Sequence, residues 1–280
     1  MIKLTIITPV FNNVDYIEKC ILNVVSQHCK GVEHLIMDGG STDGTVAIIE
    51  QYAQKFSHIR WISEKDKGQS DAMNKGIKMA IGQYISFLNV DDYYTENTLE
   101  QILSIFKEEP TLTFLVGNCN VWKSNGELLY VNRPRKLKTW HILSGYFFPV
   151  NPSAYFYAKD IHEKIGGYNI DNHFNMDVEF LINASTVSTL MYFPMNWGNF
   201  RLLPNTKTVS DQDQGLLEKR KKELFQKYLN KFSWKIRLYT YSISVIETVK
   251  INARRVKKKS LLPFDMVYWK IRKTILSKKH

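Results

Sequence analysis

The sequence predicts an α/β fold: a mostly parallel central sheet flanked by helices, with a basic helical extension at its C-terminal end. Three observations carry this. In the first half, short apolar runs alternate with stretches of helical periodicity, as βαβ units require. Two of those runs stop abruptly on acids, Leu35-Ile36-Met37-Asp38 and Phe87-Leu88-Asn89-Val90-Asp91-Asp92. The third is charge: residues 215–280 hold 19 Lys and Arg against 4 acids, residues 1–214 hold 19 against 23, so the net +11 originates in the tail.

Strands are expected near 3–9, 32–37, 59–63 and 83–88, with helices between them. Ile17, Ile21, Val24 and Val25 form one apolar stripe and Val46, Ile49, Ala53 and Phe56 another, at spacings of three and four. Thr95 and Thr98, followed by Leu99, Ile102, Leu103 and Phe106, predict a capped helix that ends before Pro110. Thr113 to Val121 and Glu127 to Val131 read as strands joined through Ser124-Asn125-Gly126, because Asn-Gly is a strong hairpin signal. Residues 132–176, rich in aromatics, Pro, Asn and Gly, predict loops and short elements. Residues 177–187 predict a short helix and 215–230 a charged one. Ile236, Tyr239, Ile243, Ile246, Val249, Ala253 and Val256 then share a helical stripe that ends in Arg254, Arg255, Lys257, Lys258 and Lys259. A second amphipathic helix is expected after Pro263, with Phe264, Val267, Tyr268, Ile271 and Ile275 opposed by Lys270, Arg272 and Lys273.

At 280 residues, 44% apolar and 23% charged, the chain can bury a substantial core and has the composition of a globular protein. Cys20, Cys29 and Cys119 have neither metal-ligand spacing nor an even count, so buried free thiols are expected. Met1 is followed at once by a strand-like run, and no stretch reaches the roughly 20 apolar residues of a spanning helix. The expectation is a cytoplasmic protein. The basic tail calls for a polyanionic partner, either an anionic membrane surface or nucleic acid.

In an open parallel sheet, ligands bind at the carboxyl ends of the strands, so the two acidic strand ends should converge on one crevice. Paired carboxylates there suit a hard divalent cation carrying a phosphorylated ligand. Taken alone, an Asp-Asp after a strand is more often a helix-capping turn.

Four motifs in order change that balance: Thr8-Pro9-Val10-Phe11-Asn12-Asn13, Asp38-Gly39-Gly40-Ser41-Thr42-Asp43-Gly44-Thr45, Glu64 to Gly76, and Phe87 to Asp92. Together they resemble the nucleotide-sugar half of a family 2 glycosyltransferase with the GT-A fold, strongly over the first ninety residues and more weakly to about residue 210. The resemblance implies an inverting transfer from a nucleotide sugar, UDP-linked, to a lipid-linked or saccharide acceptor in bacterial surface polysaccharide (O-antigen or capsule) synthesis, with Mn²⁺ or Mg²⁺. It implies that Thr8, Pro9, Asp38 and Asp66 line the nucleotide pocket, that Asp92 binds the metal, and that Asp91 touches the ribose or a metal-bound water. Arg201 would contact phosphate from a late loop, Arg201-Leu202-Leu203-Pro204. His173 to Glu179 resembles the family's acidic motif before a helix, which makes Asp177 the general base; Glu179 is either its understudy or a structural partner. His173 itself reads as a surface or hydrogen-bonding residue. Asp43 and Gly44 read as scaffold.

This sequence also departs from the pattern. Asn89 replaces an Asp, Met73 stands where an Arg is frequent, and Leu203 where a His is frequent. Phosphate would then be neutralised by the metal, Lys67, Lys75 or a later residue, and Lys75 reads equally as a solvated helix position. These departures sustain a competing reading, a catalytically degenerate GT-A domain that binds membrane or nucleic acid through its tail. The expected organisation is a transferase domain over 1–214, its nucleotide-sugar half over 1–111 and its acceptor half over 112–214, and a basic amphipathic extension over 215–280. That extension is expected to hold the protein peripherally on the inner face of the plasma membrane, unless its helices pack on the core. Nucleic acid is not an expected partner, as no signature for it is present.

Overall fold

Strand β1 (Leu4–Val10) is buried along its whole length and feeds two cores. Ile7 joins Leu35, Met37, Ile85 and Phe87, while Leu4 and Ile6 join Ile36 in the other cluster, the period-two consequence of strand geometry. The computed structural model describes residues 2–108, 112–172, 174–204, 206, 209–210 and 216–260, with side chains of 217, 218 and 254–260 left out. The helix expected after Pro263 and His173 lie outside the described residues.

β1 pairs in parallel with β2 (Val32–Asp38) and β4 (Tyr84–Phe87), and β2 pairs in parallel with β3 (Ile59–Ser63). The crossovers are α1 (Val14–Val25), α2 (Thr45–Lys55) and α3 (Gln69–Met79). After β5 (Tyr93–Tyr94) and α4 (Thr98–Phe106), the chain forms β6 (Thr113–Lys123), β7 (Leu128–Asn132), α5 (Thr139–Leu143), β8 (Tyr155–Ala158) and α6 (Ile161–Ile165). α7 (Met176–Val187), β9 (Thr189–Leu202), α8 (Leu216–Leu229) and α9 (Trp234–Ser260) complete the described chain. The sheet order is β3-β2-β1-β4-β8-β6-β9-β5, with β7 on β6. Because β8 runs antiparallel to both β4 and β6, β6 and its parallel partner β9 point the same way as β1 to β4. All these strands therefore deliver their carboxyl ends to one edge of the sheet.

The hairpin at Ser124-Asn125-Gly126 forms as expected, with Gly126 at φ 81°. Strand β9 was not expected, and Arg201 and Leu202 are its last residues rather than part of a loop. Its ladder with β6 slips on either side of Asn118, opposite a stretch that contains Pro194, which has no N–H to donate. Fully buried Trp197 fills the space beside Gly117, where a Cβ would stand 2.5 Å from the indole.

Helix α8 packs Leu224, Tyr228 and Leu229 into the cluster that holds Phe180 of α7. α9 packs on the domain through part of the stripe read from its sequence and exposes the rest. Ile236, Thr240, Ile243 and Ser244 lie on the packed side, whereas Tyr239, Ile246 and Val249 are exposed. The small Thr240 and Ser244 hydroxyls bond back to Ile236 and Thr240 carbonyls, so this line takes the close contact and the bulkier residues are left outside.

Candidate functional site

At the edge where β1, β2 and β3 end, three segments meet. Phe11 is 60% exposed beyond β1. A Cβ on Gly39 would lie 2.7 Å from Oδ2 of Asp66 and 3.4 Å from the Phe11 ring, so these three residues touch and only glycine fits between them. Asp38, 2% exposed, holds its own loop: Oδ2 accepts from the Gly40 and Ser41 N–H groups and from Ser63 Oγ, and Oδ1 from Ser41 Oγ. Of these four donors three crowd Oδ2 and only one falls on Oδ1, the less engaged oxygen. Asp66 accepts from the Gly68 N–H at 2.7 Å, which shapes the turn into α3. Thr8 and Pro9 are buried. Thr8 Oγ1 lies 2.9 Å from Nε2 of His34, whose pKa burial pushes down to about 3, so what Thr8 presents to the crevice is backbone. Asp43, treated as scaffold, accepts from the Thr45 and Val14 N–H groups and the Thr45 hydroxyl.

The next strand end carries the acid pair, and its members differ. Asp92 is 3% exposed and accepts from Asn151 Nδ2 at 2.8 Å, Asn89 Nδ2 at 3.0 Å and the Arg201 N–H at 3.1 Å. Burial pushes its carboxyl well above the usual carboxylate range and the neighbouring Asp91 adds repulsion; the three hydrogen bonds offset only part of this. Asp91 is half-buried, with its carboxyl raised by burial and drawn down by the Arg201 guanidinium. Arg201 also lies over the Tyr93 ring, 4.7 Å from its centroid. Of the pair, Asp91 is the more open carboxylate and Asp92 the anchored one. Asn89 joins Asp92 to the neighbouring loop by accepting from Gln69 Nε2 at 3.0 Å. Met73 is buried in the core and brings nothing to a phosphate, and Lys75 is held by Glu64 at 2.8 Å.

Two adjacent carboxylates raised by burial, Asp92 further by Asp91, form an oxygen-only donor set, which fits a hard divalent cation. Among the described residues no group of three or more His, Cys, Asp or Glu could hold a metal by itself. Water and ligand oxygens would complete the shell.

Asp177 lies in the first turn of α7, where burial raises its carboxyl; N–H groups of the first turn and then Lys221 of α8 pull it back in part. It follows Asn175, the residue that precedes the helix, so it is not the N-cap. Contacts tie it to the acid pair. Met176 Sδ meets Ser70 Oγ, Ser70 follows Gln69, and Gln69 bonds Asn89, which bonds Asp92. Glu179 is a structural partner: it accepts from Asn172, Tyr228 and Asn169, and although burial opposes it, these bonds and Lys227 hold its carboxyl below the usual range. Glu179→Ala is expected to lower stability by about 1–3 kcal/mol by leaving buried donors unpaired. Urea unfolding measures this; an unchanged midpoint would contradict the assignment.

Phe11 and Asn151 were missed in the sequence. An aromatic directly after a strand that ends Thr-Pro-Val was the available signal for Phe11. Asn151 had none, because its bond to Asp92 spans 59 residues.

The profile of the family described as Glycosyl transferase family 2 matches residues 5–165, more than half of the chain. The chain belongs to glycosyltransferase family 2. It is 31% identical over 185 residues to the glycosyltransferase MT1564 of Mycobacterium tuberculosis, covering 65% of this chain and 69% of that one. It is 29% identical over 146 residues to YibD of Escherichia coli K12, covering 51% of this chain and 42% of YibD. The chain thus spans less than half the length of YibD. Among solved structures, it is similar to residues 1–349 of Staphylococcus aureus TarS in complex with UDP-GlcNAc, at TM-score 0.61 and 18% identity, over 75% of this chain and 61% of that one. It is also similar to the mannosyltransferase PcManGT of Pyrobaculum calidifontis in complex with GDP-Man and Mn²⁺, at TM-score 0.55 and 18% identity, over 74% and 59%. At such identities the likeness is one of fold, and this family 2 chain has the GT-A fold.

Proposed function

We propose that this chain is an inverting, metal-dependent transferase that moves a sugar from a UDP-sugar to a hydroxyl of a lipid-linked or saccharide acceptor in bacterial surface polysaccharide assembly. The observation that carries the reading is the acid pair Asp91–Asp92, joined through Asn89, Gln69 and the Ser70–Met176 contact to Asp177. The nucleotide-bound states of TarS and PcManGT support a nucleotide-sugar donor.

In this reading Phe11 gives the base a ring to stack on, Oδ1 of Asp38 accepts a base N–H, and Thr8 and Pro9 offer backbone. Asp66 lines the same pocket. Asp91 would present its open oxygen to the metal beside Asp92, which the resemblance makes the ligand and whose hydrogen bonds hold the pair in place, and Arg201 would face the phosphates. A divalent cation bound there supplies charge neutralisation for the diphosphate. Asp177 removes the proton from the acceptor hydroxyl as its oxygen bonds to the anomeric carbon, and the bond from that carbon to the diphosphate breaks with its electron pair leaving on the diphosphate. Residues 1–111 would serve the donor and 112–214 the acceptor.

Residues 215–280 would form the extension that keeps the enzyme at the inner face of the membrane. No described helix is long and apolar enough to cross a bilayer, and the exposed apolar side chains of α9 suit an interfacial helix.

Incubation with a panel of nucleotide sugars and Mn²⁺ tests the donor side, with release of free UDP as the expected result. Release from no nucleotide sugar would favour the degenerate binding module instead.

A further inference from the structure

Between β7 and α5 the chain reads Arg133-Pro134-Arg135-Lys136-Leu137-Lys138, with Pro134 and Leu137 buried and the four cations exposed. The two buried residues pin the segment so that its charges face outward. Arg135, Lys136 and Lys138, with Trp140, His141 and Tyr192, line a cavity of about 720 Å³. Its wall includes Ser185, whose hydroxyl bonds Thr139 Oγ1 at 3.0 Å, and among the described residues no acid lines it. Among the described residues these three cations make no ion pair. Lys136 and Lys138 lie over the rings of Phe147 and Trp140, and Nδ1 of His141 is buried without a hydrogen-bond partner. A concave cluster of uncompensated cations beside hydroxyl groups suits an oxyanion such as phosphate.

The cavity is not the catalytic cleft. Ser185 and Ser188 lie toward the far end of α7 from Asp177, about 12–17 Å along the helix at 1.5 Å per residue. It borders α9 instead: Trp140 stacks on Tyr239 with centroids 5.4 Å apart, and Tyr146 Oη meets Thr248 Oγ1 at 2.9 Å. On α9, Trp234, Leu238, Tyr241, Val245 and Val249 are all more than half exposed, and their spacing of three and four makes one stripe. Lys235, Arg237 and Lys250 belong to the same helix. The aromatic stack joins the cationic cavity to α9, and the apolar stripe lies on that same helix, turned away from the packed line of Ile236, Thr240 and Ile243.

We propose that the Arg135–Lys136–Lys138 cavity binds the phosphate of an anionic phospholipid headgroup while the α9 stripe lies in the membrane interface. This rests on the membrane-peripheral reading above and adds a defined headgroup site to it. Charge selects the occupant, since a neutral protein partner would leave the cations unpaired.

The test is co-sedimentation of the full chain with vesicles of phosphatidylcholine, alone or mixed with phosphatidylglycerol. Each basic residue near an anionic surface contributes about fivefold, so the Arg135→Ala, Lys136→Ala, Lys138→Ala triple variant should need on the order of a hundredfold more anionic lipid. Its melting temperature should be unchanged, and Lys30→Ala, Lys55→Ala, Lys78→Ala, remote from the cavity, should bind like the wild type. Unaltered binding by the cavity variant, or an equal loss in the remote variant, would overturn the site. If Leu238→Asp, Val245→Asp abolishes binding while the cavity variant retains it, the membrane reading stands and the headgroup site falls. A wild type that binds neither vesicle overturns both. Binding that requires an isoprenyl phosphate and ignores phosphatidylglycerol, or a dimer in solution that Leu238→Asp dissolves, would also overturn the proposal.

Discussion

Asp177→Asn is expected to slow sugar transfer by about a thousandfold while leaving UDP-sugar affinity unchanged, because a positioned general base contributes roughly 10²–10⁴. The geometry explains why affinity should survive: among the described residues Asp177 is linked to the donor side through its neighbour Met176, which meets Ser70, and its own hydrogen bond is from the Val178 N–H at 2.9 Å. The pH profile gives the same prediction a second readout. A base works deprotonated, so activity is complete above the folded-state pKa and falls as pH drops through it. Burial raises the Asp177 carboxyl, which places the acid limb of kcat/KM above the ordinary carboxylate range. Lys221 draws that carboxyl down, so Lys221→Met should move the limb further toward neutral pH. A variant at 177 that keeps near-full rate, or an acid limb that survives Asp177→Asn, would sink the assignment.

The acid pair predicts the second large effect, and its two members should fail differently. Asp91→Asn is expected to lose about 10²–10³ in rate, the scale of removing one preorganised electrostatic group. It should fold as well as the wild type, because it takes away one of two repelling carboxylates. Asp92→Asn should lose comparable activity and also about 1–3 kcal/mol of stability, since Asn151, Asn89 and the Arg201 N–H all donate to it. In both acids the folded-state pKa stands above its ordinary value. The unliganded fold therefore binds more protons than the unfolded chain in that range, and the pair destabilises it increasingly as pH rises through those values. Mn²⁺ with UDP should reverse this and raise the wild-type melting temperature at neutral pH, but not that of Asp91→Asn. Equal melting shifts in the two proteins would contradict the role given to Asp91.

Much of this was legible in the chain. Strands β1 to β4 are short, largely apolar runs, and a parallel sheet forces their acids to one edge, so Asp38, Asp91 and Asp92 could be placed from pattern alone. Strand β9 could not. Its run Phe193-Pro194-Met195-Asn196-Trp197-Gly198-Asn199 lacks alternation, and it is a strand because Trp197 finds the gap beside Gly117 and β6 offers a parallel ladder. The division of labour between Asp91 and Asp92 was hidden for the same reason. It depends on Asn151 and on the backbone of Arg201, both distant in sequence. Stripe counting gave α9 its helix and left open which face packs, because Thr240, the most buried of the described residues on this helix, is not apolar and falls outside the stripe.

Calorimetric titration of UDP into the full chain, with Mn²⁺ and then with the metal chelated, bears most directly on the idea that acids from separate segments surround one cation and one diphosphate. UDP should bind with Mn²⁺ present and lose most of its affinity on chelation or in Asp91→Asn. Binding of UDP that is indifferent to the metal and to Asp91, or no binding under either condition, would contradict it.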